Sequence, residues 1–193
     1  MARPREFDTD ETLARAMDVF WKTGYDEAKL PDLLAGMNLS RGSLYKAFKD
    51  KKSLFLLVLD HYDEQAVSGA VTLLTQSKQD GWARIFSIFE MIEQTVDAGD
   101  RRGCLLCSAI AGPASHDAEI AAFANKSLDR MRVAFEQAIT ESDNPRNAAS
   151  LAHLLVTQYV GLRIMSRTSV STGIIKKNVN ALKNLVTASR DDS

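Results

Sequence analysis

Apolar residues recur at every third and fourth position through most of this chain, and that spacing constrains the fold more than any single motif. Leu13, Ala16, Met17 and Phe20 fall at i, i+3, i+4 and i+7, the stripe by which a helix faces a core. The same period returns in the second half, at Leu151, Leu154, Leu155, Tyr159 and Leu162, then at Ile174, Ile175, Val179, Leu182 and Val186. No segment shows the two-residue alternation of a strand, and no internal repeat is visible. Gly and Pro, which interrupt helices, number only 10 and 4 in 193 residues. The expected class is all-α.

Local signals place the first elements. Asp8, with Glu11 three positions on, reads as a capping box for a first helix. Gly24 ends it in the manner of a left-handed C-cap. Leu30, Leu33, Leu34 and Met37 share one face of a short second helix, and Pro31 fits its first turn. Asn38 supplies the left-handed residue of a tight turn. Ser40 then caps a third helix, Arg41 to about Phe48. Two short helices joined by a tight turn make a helix-turn-helix. A fourth helix is expected from an Asp50 cap to about Leu74. Further helical stretches are expected at about 81–98, 103–112, 116–141, 145–167 and 171–189.

Charge sharpens the reading. The formal net charge is only -1, yet SRGSLYKAFKDKK holds five cations and one acid. At ~100° per residue, Leu44 and Phe48 point inward while Gly42, Lys46 and Lys49 point outward, flanked by Ser43 and Tyr45. Cations in the first turn of a helix oppose its dipole. Arg41 begins the third helix, and Lys51 and Lys52 begin the fourth. Helix starts attract phosphate through their free N–H groups, so the arrangement makes sense if a polyanion docks across both.

With these residues in view, ARAMDVFWKTGYDEAKLPDLLAGMNLSRGSLYKAFKDKKSLFLLVLDHY resembles the TetR family of transcriptional regulators. The likeness covers under a third of the chain. It implies a DNA-binding domain at 1–50 and a helical effector-sensing and dimerisation domain at 51–193. It further implies that Arg41, Gly42, Ser43 and Lys46 approach base edges or phosphates, that Tyr45 bonds a phosphate, and that Lys51 clamps another. Many relatives carry Thr-Ser or Thr-Thr ahead of the second helix; here Ala28-Lys29 stands instead, and Lys29 replaces the hydroxyl contact electrostatically. The implied partners are double-stranded operator DNA, a second copy of the chain, and a small-molecule or electrophile inducer. The last two helices are the implied dimer interface; an intrachain bundle is the alternative. Repression is the family's usual mode.

Trp82, Phe86, Phe89, Met91, Phe123, Met131 and Phe135 are candidates for a ligand cavity, although such residues equally make core. RRGCLLCS, Arg101 to Ser108, carries a C-x-x-C pair. A zinc site needs four ligands, and no second pair exists. A thioredoxin-type motif needs a βαβ setting, which is absent. A bridge between Cys104 and Cys107 inside a helix is strained, because Cβ atoms three apart sit ~5–6 Å away where a disulfide needs ~3.5–4.5 Å. If Gly103 opens a helix, Cys104 lies in its first turn, where Arg101 and Arg102 favour the thiolate, the form that oxidants and electrophiles attack. Some TetR-type regulators with a similar Gly-Cys-Leu segment respond in this way, and the likeness implies Cys104 as a sensor with Cys107 as its partner. The bland alternative is a pair of small buried hydrophobes.

The other classes are weaker. His61, His116 and His153 are scattered, and no metalloprotease, P-loop or dinucleotide motif appears. No metal or cofactor is expected. A thiol-reactive helical enzyme and a protein-binding helical module are the competing readings. No apolar run reaches the ~20 residues of a membrane span, and MARPREFDTD lacks an apolar signal segment, so a cytoplasmic protein is expected.

Overall fold

The computed structural model describes residues 8–142, 147–168 and 172–191. Among them the chain is helical throughout, with no strand. Asp8 caps α1 (Thr9–Thr23) by accepting from the backbone N–H groups of Asp10 and Glu11. Glu11 turns away from the expected capping box to pair with Arg15. Leu13, Ala16 and Phe20 are buried, as their spacing requires. Gly24 does follow α1, but at φ 83°, ψ 165° it is extended in ψ rather than left-handed helical. Helix α2 (Leu30–Met37) ends at Asn38, whose φ of 54° and ψ of 45° are left-handed. Ser40 caps α3 (Arg41–Phe48), accepting from Ser43 N–H.

Asp50 caps α4 (Lys51–Tyr62), accepting from Ser53 N–H at 2.7 Å. The expected single long helix is interrupted by a π-helical turn, Asp63–Val67, before α5 (Ser68–Gln76) completes it. Asp63, buried in that turn, is bound by Arg130, far along the chain. A distant partner therefore holds the wide turn, which no local pattern announces. The remaining helices are α6 (Gly81–Asp97), α7 (Leu105–Ala111), α8 (Ala118–Thr140), α9 (Ala148–Met165) and α10 (Thr172–Asp191), with a 3-10 turn at Pro113–His116. The expected starts at Pro145 and Ser171, and the side chain of Val186, lie outside the described residues.

One apolar core runs from α1 through α10. Helix α1 packs on α2 and α4, α8 on α5, α6, α7 and α9, and α10 on α6. Gly81 permits a close approach: a Cβ there would lie 1.8 Å from the Ala138 carbonyl oxygen. Arg84 is buried in the same region, donating to Leu74 O and Glu141 at 2.7 and 2.8 Å. Among the described residues no helix is long and apolar enough to cross a membrane.

Candidate nucleic-acid interface

Helix α3 buries Leu44 and Phe48 and leaves Arg41, Gly42, Tyr45 and Lys46 exposed, with Ser43 half-buried beside its cap. The Arg41 guanidinium lies 5.8 Å from the Tyr45 ring centroid, so the two side chains form one cationic, aromatic surface. Gly42 has ordinary helical backbone, and a Cβ there would meet only Ser40 Oγ, at 4.0 Å. Nothing inside the protein requires glycine at 42. A glycine inside an exposed helix costs about 1 kcal/mol relative to alanine, and no contact within the described residues offsets that cost.

The residues flanking α3 divide into two groups. Lys29 is exposed at the start of α2, and its side chain makes no capping bond, as its substitution for a hydroxyl predicts. Lys51 is pre-positioned: its Nζ donates to Asp26 O at 3.2 Å and stands 4.7 Å from the Tyr25 ring centroid. Burial lowers its pKa, opposed by Asp26 and Glu27. Lys52 corrects the expectation that both lysines serve a docked polyanion. It bridges Asp117 and Glu119 at the start of α8, at 3.0 and 3.1 Å, so its charge ties α4 to α8. Lys49, just past α3, has a φ of 67° and a ψ of -58°. With Asp50 N–H donating to Phe48 O at 2.8 Å, it forms a γ-turn of the rare positive-φ kind, a strained conformation for a residue with a side chain.

The cysteines lie deeper than expected. Gly103 has a φ of 71°, and a Cβ on it would come within 2.5 Å of Arg163 O. Helix α7 therefore starts two residues later, and Cys104 is its N-cap rather than a first-turn residue. Both thiols are free and buried. With Cys104 outside the helix, the spacing argument against a Cys104–Cys107 bridge no longer applies. The cation facing Cys104 is also different: Arg163, from α9, replaces the expected neighbours. Arg102 instead binds Asp100 and Asp18, at 2.8 and 3.3 Å, and covers the Trp21 ring at 4.3 Å. The Cys104 pKa falls to about 6, first through the hydrogen bond from the Cys107 thiol, then through Arg163 and the Tyr62 hydroxyl, against burial. Cys107, as donor and by burial, is pushed up.

This cluster is wired to the N-terminal helices. Arg167 donates to Trp21 O, Arg102 O and Ser108 Oγ, at 3.2, 2.9 and 3.2 Å. Together with Arg102 it fastens the 100–108 segment to α1. Of the aromatic and thioether candidates, Trp82, Phe89, Met131 and Phe135 are buried, Phe89 and Phe135 stacking at 6.1 Å. Phe86 lies beside Trp82 and under Lys183. Met91 lines a cavity between the π-turn, α6 and α9, and Phe123 lines an open groove between α4 and α8. Tyr62, Tyr159 and Arg163 line the first of these; helical spacing marks the two tyrosines only as buried-face residues, and a lone Arg on an apolar helix face was the available signal for the third.

The family model for bacterial regulatory proteins of the tetR family matches residues 13–58, the span from α1 into α4. The chain is 30% identical over 136 residues to YezE of Bacillus subtilis, an uncharacterized HTH-type transcriptional regulator, covering 70% of each. This chain belongs to the TetR family. It is thus a DNA-binding transcriptional regulator, not an enzyme. Over 77 residues, 39% of this chain, it is also 38% identical to the Escherichia coli transcriptional repressor ComR, of which the match spans 37%. Over almost its full length the TetR fold superposes on a cysteine-substituted form of the TetR family regulator CifR, complexed with 26 bp double-strand operator DNA. The TM-score is 0.74 at 27% identity, over 93% of this chain and 99% of that one.

Proposed function

We propose that the chain is a homodimeric repressor that binds a palindromic operator and is released by a small molecule or by modification at Cys104. Arg41, Gly42, Ser43, Tyr45 and Lys46 enter the major groove, while Lys29 and Lys51 hold flanking phosphates. The observation that carries the reading is Gly42, an exposed helical glycine with no internal neighbour, set among Arg41, Tyr45 and Lys46. One α3 contacts too little duplex for high specificity; two, about 34–36 Å apart, read two half-sites. Leu154 and Ile174 expose 57% and 42% of their surface on α9 and α10, which suits a face covered by a second copy. The operator-bound CifR and the repressor ComR support the same reading.

The release mechanism rests on Cys104. Its lowered pKa favours the nucleophilic form, but its burial requires local opening before a reagent reaches it. Because the 100–108 segment grips α1 through Arg102 and Arg167, added bulk at Cys104 displaces the DNA-binding helices. The test is selection of bound duplexes from a random pool, then challenge of the complex with oxidants and electrophiles. A two-fold symmetric site bound by two copies is expected. No preferred duplex at low ionic strength refutes DNA reading, and unchanged release in Cys104→Ser refutes the thiol mechanism.

A further inference from the structure

A partly open cavity of about 280 Å³ lies between the π-turn, α6 and α9. Its wall is mainly apolar, with Ala66, Ala70, Leu73 and Ile92 among the residues lining it. Into this apolar setting α9 brings one cation, Arg163. Arg163 donates to Gly103 O at 2.6 Å and is bonded to the Tyr62 hydroxyl. Its Nε is buried without a partner. Among the described residues no carboxylate lies within ion-pair distance of it; Asp100, the acid that feels it, is held by Arg102. Two of the other polar groups on the wall are already engaged, Gln65 with His61 and Thr95 with Met91 O; the Tyr159 ring also lines it. A guanidinium on an apolar wall with no acidic partner attracts a carboxylate through charge-assisted hydrogen bonds.

We propose that this cavity binds a small apolar monocarboxylate, its carboxylate taken by Arg163 and its body by the Ala66, Ala70 and Ile92 wall. The volume falls just below the range of drug-sized sites, about 300–1,000 Å³, so the occupant is small. Its regulatory role rests on the reading of the chain as an effector-controlled repressor; the binding itself does not. The cavity is built on the wide turn, and π-turns inside helices are frequent at functional sites. That turn continues α4, which starts at Lys51 beside α3, so an occupant bears directly on the helix that carries the DNA-binding end.

The same guanidinium faces Cys104. The groups around that thiol are Cys107 from α7, Tyr62 from α4, and Tyr159 and Arg163 from α9; Asp100, in the preceding loop, acts on Arg163. A bound carboxylate draws on Arg163 and adds negative charge, so it raises the thiol pKa; by linkage, thiolate formation weakens carboxylate binding.

The test is calorimetric titration of the full chain with phenylacetate, octanoate and salicylate, each against its own amide. At least one acid is expected to bind tenfold or more tighter than its amide. Gly69→Leu puts a side chain into the cavity at a helical position where a Cβ meets nothing within 4 Å. It is expected to retain the fold and lose that binding at least tenfold, as is Arg163→Met. If Arg163→Met does not fold, the acid–amide contrast and Gly69→Leu decide alone. Amides binding as well as acids, no acid binding, or binding that survives Gly69→Leu overturns the proposal. DNA affinity measured on the same samples separates the two readings: loss of all DNA binding refutes the repressor while leaving a carboxylate site intact.

Discussion

Gly42 and Gly103 mark the two regions to which function is proposed, and their surroundings are opposite. Gly42 sits in open space on α3, in ordinary helical backbone, and nothing in the fold demands it. Gly103 has a φ of 71° and lies against Arg163 O and the Arg167 side chain, so the fold itself demands it. The first region is an exposed cationic surface, the one proposed to meet DNA. The second is a buried network in which backbone, guanidinium and thiols fix one another. A surface site is built from one short segment and can be altered with little effect on the fold; a buried site draws on several helices and cannot.

Alanine at both glycines is the strongest way to break this contrast. Gly103→Ala places a Cβ at positive φ, costing about 1–2 kcal/mol by itself, and within 2.5 Å of a backbone oxygen. A total loss of about 2–4 kcal/mol is expected in urea unfolding. Gly42→Ala is expected to gain about 0.5–1 kcal/mol from helix propensity while weakening operator binding. If both substitutions moved stability alike, the distinction between an outward and an inward glycine would fail.

The thiolate network gives the next largest effect. Cys104 is lowered from its ordinary value to about 6, chiefly by Cys107, then by Arg163 and Tyr62. Between that value and the unfolded thiol's pKa the unfolded chain binds more protons. Stability attributable to Cys104 therefore rises with pH across that window, is complete above it, and is lost as pH falls through about 6. Wild type compared with Cys104→Ser, unfolded in urea from pH 6 to 9, is expected to show this rise. Thiolate absorbance should place the midpoint higher in Cys107→Ala, less high in Arg163→Met, and least displaced in Tyr62→Phe. An unmoved midpoint in Cys107→Ala would refute the shared-proton picture.

The surface region should behave additively instead. Lys46→Ala and Tyr45→Phe each remove one proposed phosphate or base contact from an exposed side chain. Each is expected to weaken operator binding about tenfold, and Lys46→Ala to reduce the log–log salt slope by about one, with stability unchanged within about 0.5 kcal/mol. Lys52→Met is the control, because Lys52 is spent on Asp117 and Glu119. A slope change in Lys52→Met equal to that in Lys46→Ala would erase the division between docking cations and structural ones.

The two regions also differ in how much of them the sequence disclosed. The caps Asp8, Ser40 and Asp50, the left-handed Asn38 and the limits of α3 were all legible, because a cap bonds within three residues of itself. The exposed cations were legible for a related reason: they break local helix rules, and such a break points outward. The thiol site was not. Its cation comes from Arg163, its hydroxyls from Tyr62 and Tyr159, and its backbone limit from the Gly103–Arg163 contact, all set by tertiary packing. The π-turn, held by Arg130 on Asp63, was hidden by the same distance in sequence. Phe89 and Phe135 could not be told from pocket residues, since periodicity marks the buried face of a helix but not whether that face meets a neighbour or a void.

Lys49 joins both kinds of site in one residue, and its effect is the smallest expected. Its side chain is exposed at the end of the basic surface, while its backbone holds the γ-turn that sets α3 against α4. Lys49→Ala removes the cation and keeps the strain; Lys49→Gly removes both. The glycine variant should be about 1 kcal/mol more stable than the alanine variant, because only glycine adopts positive φ without a Cβ penalty. Both should show the same loss of salt slope if the charge alone contributes to DNA binding. If Lys49→Gly binds operator more weakly than Lys49→Ala despite its greater stability, the strained turn is what orients α3, and this residue belongs to the network-like class rather than the surface one.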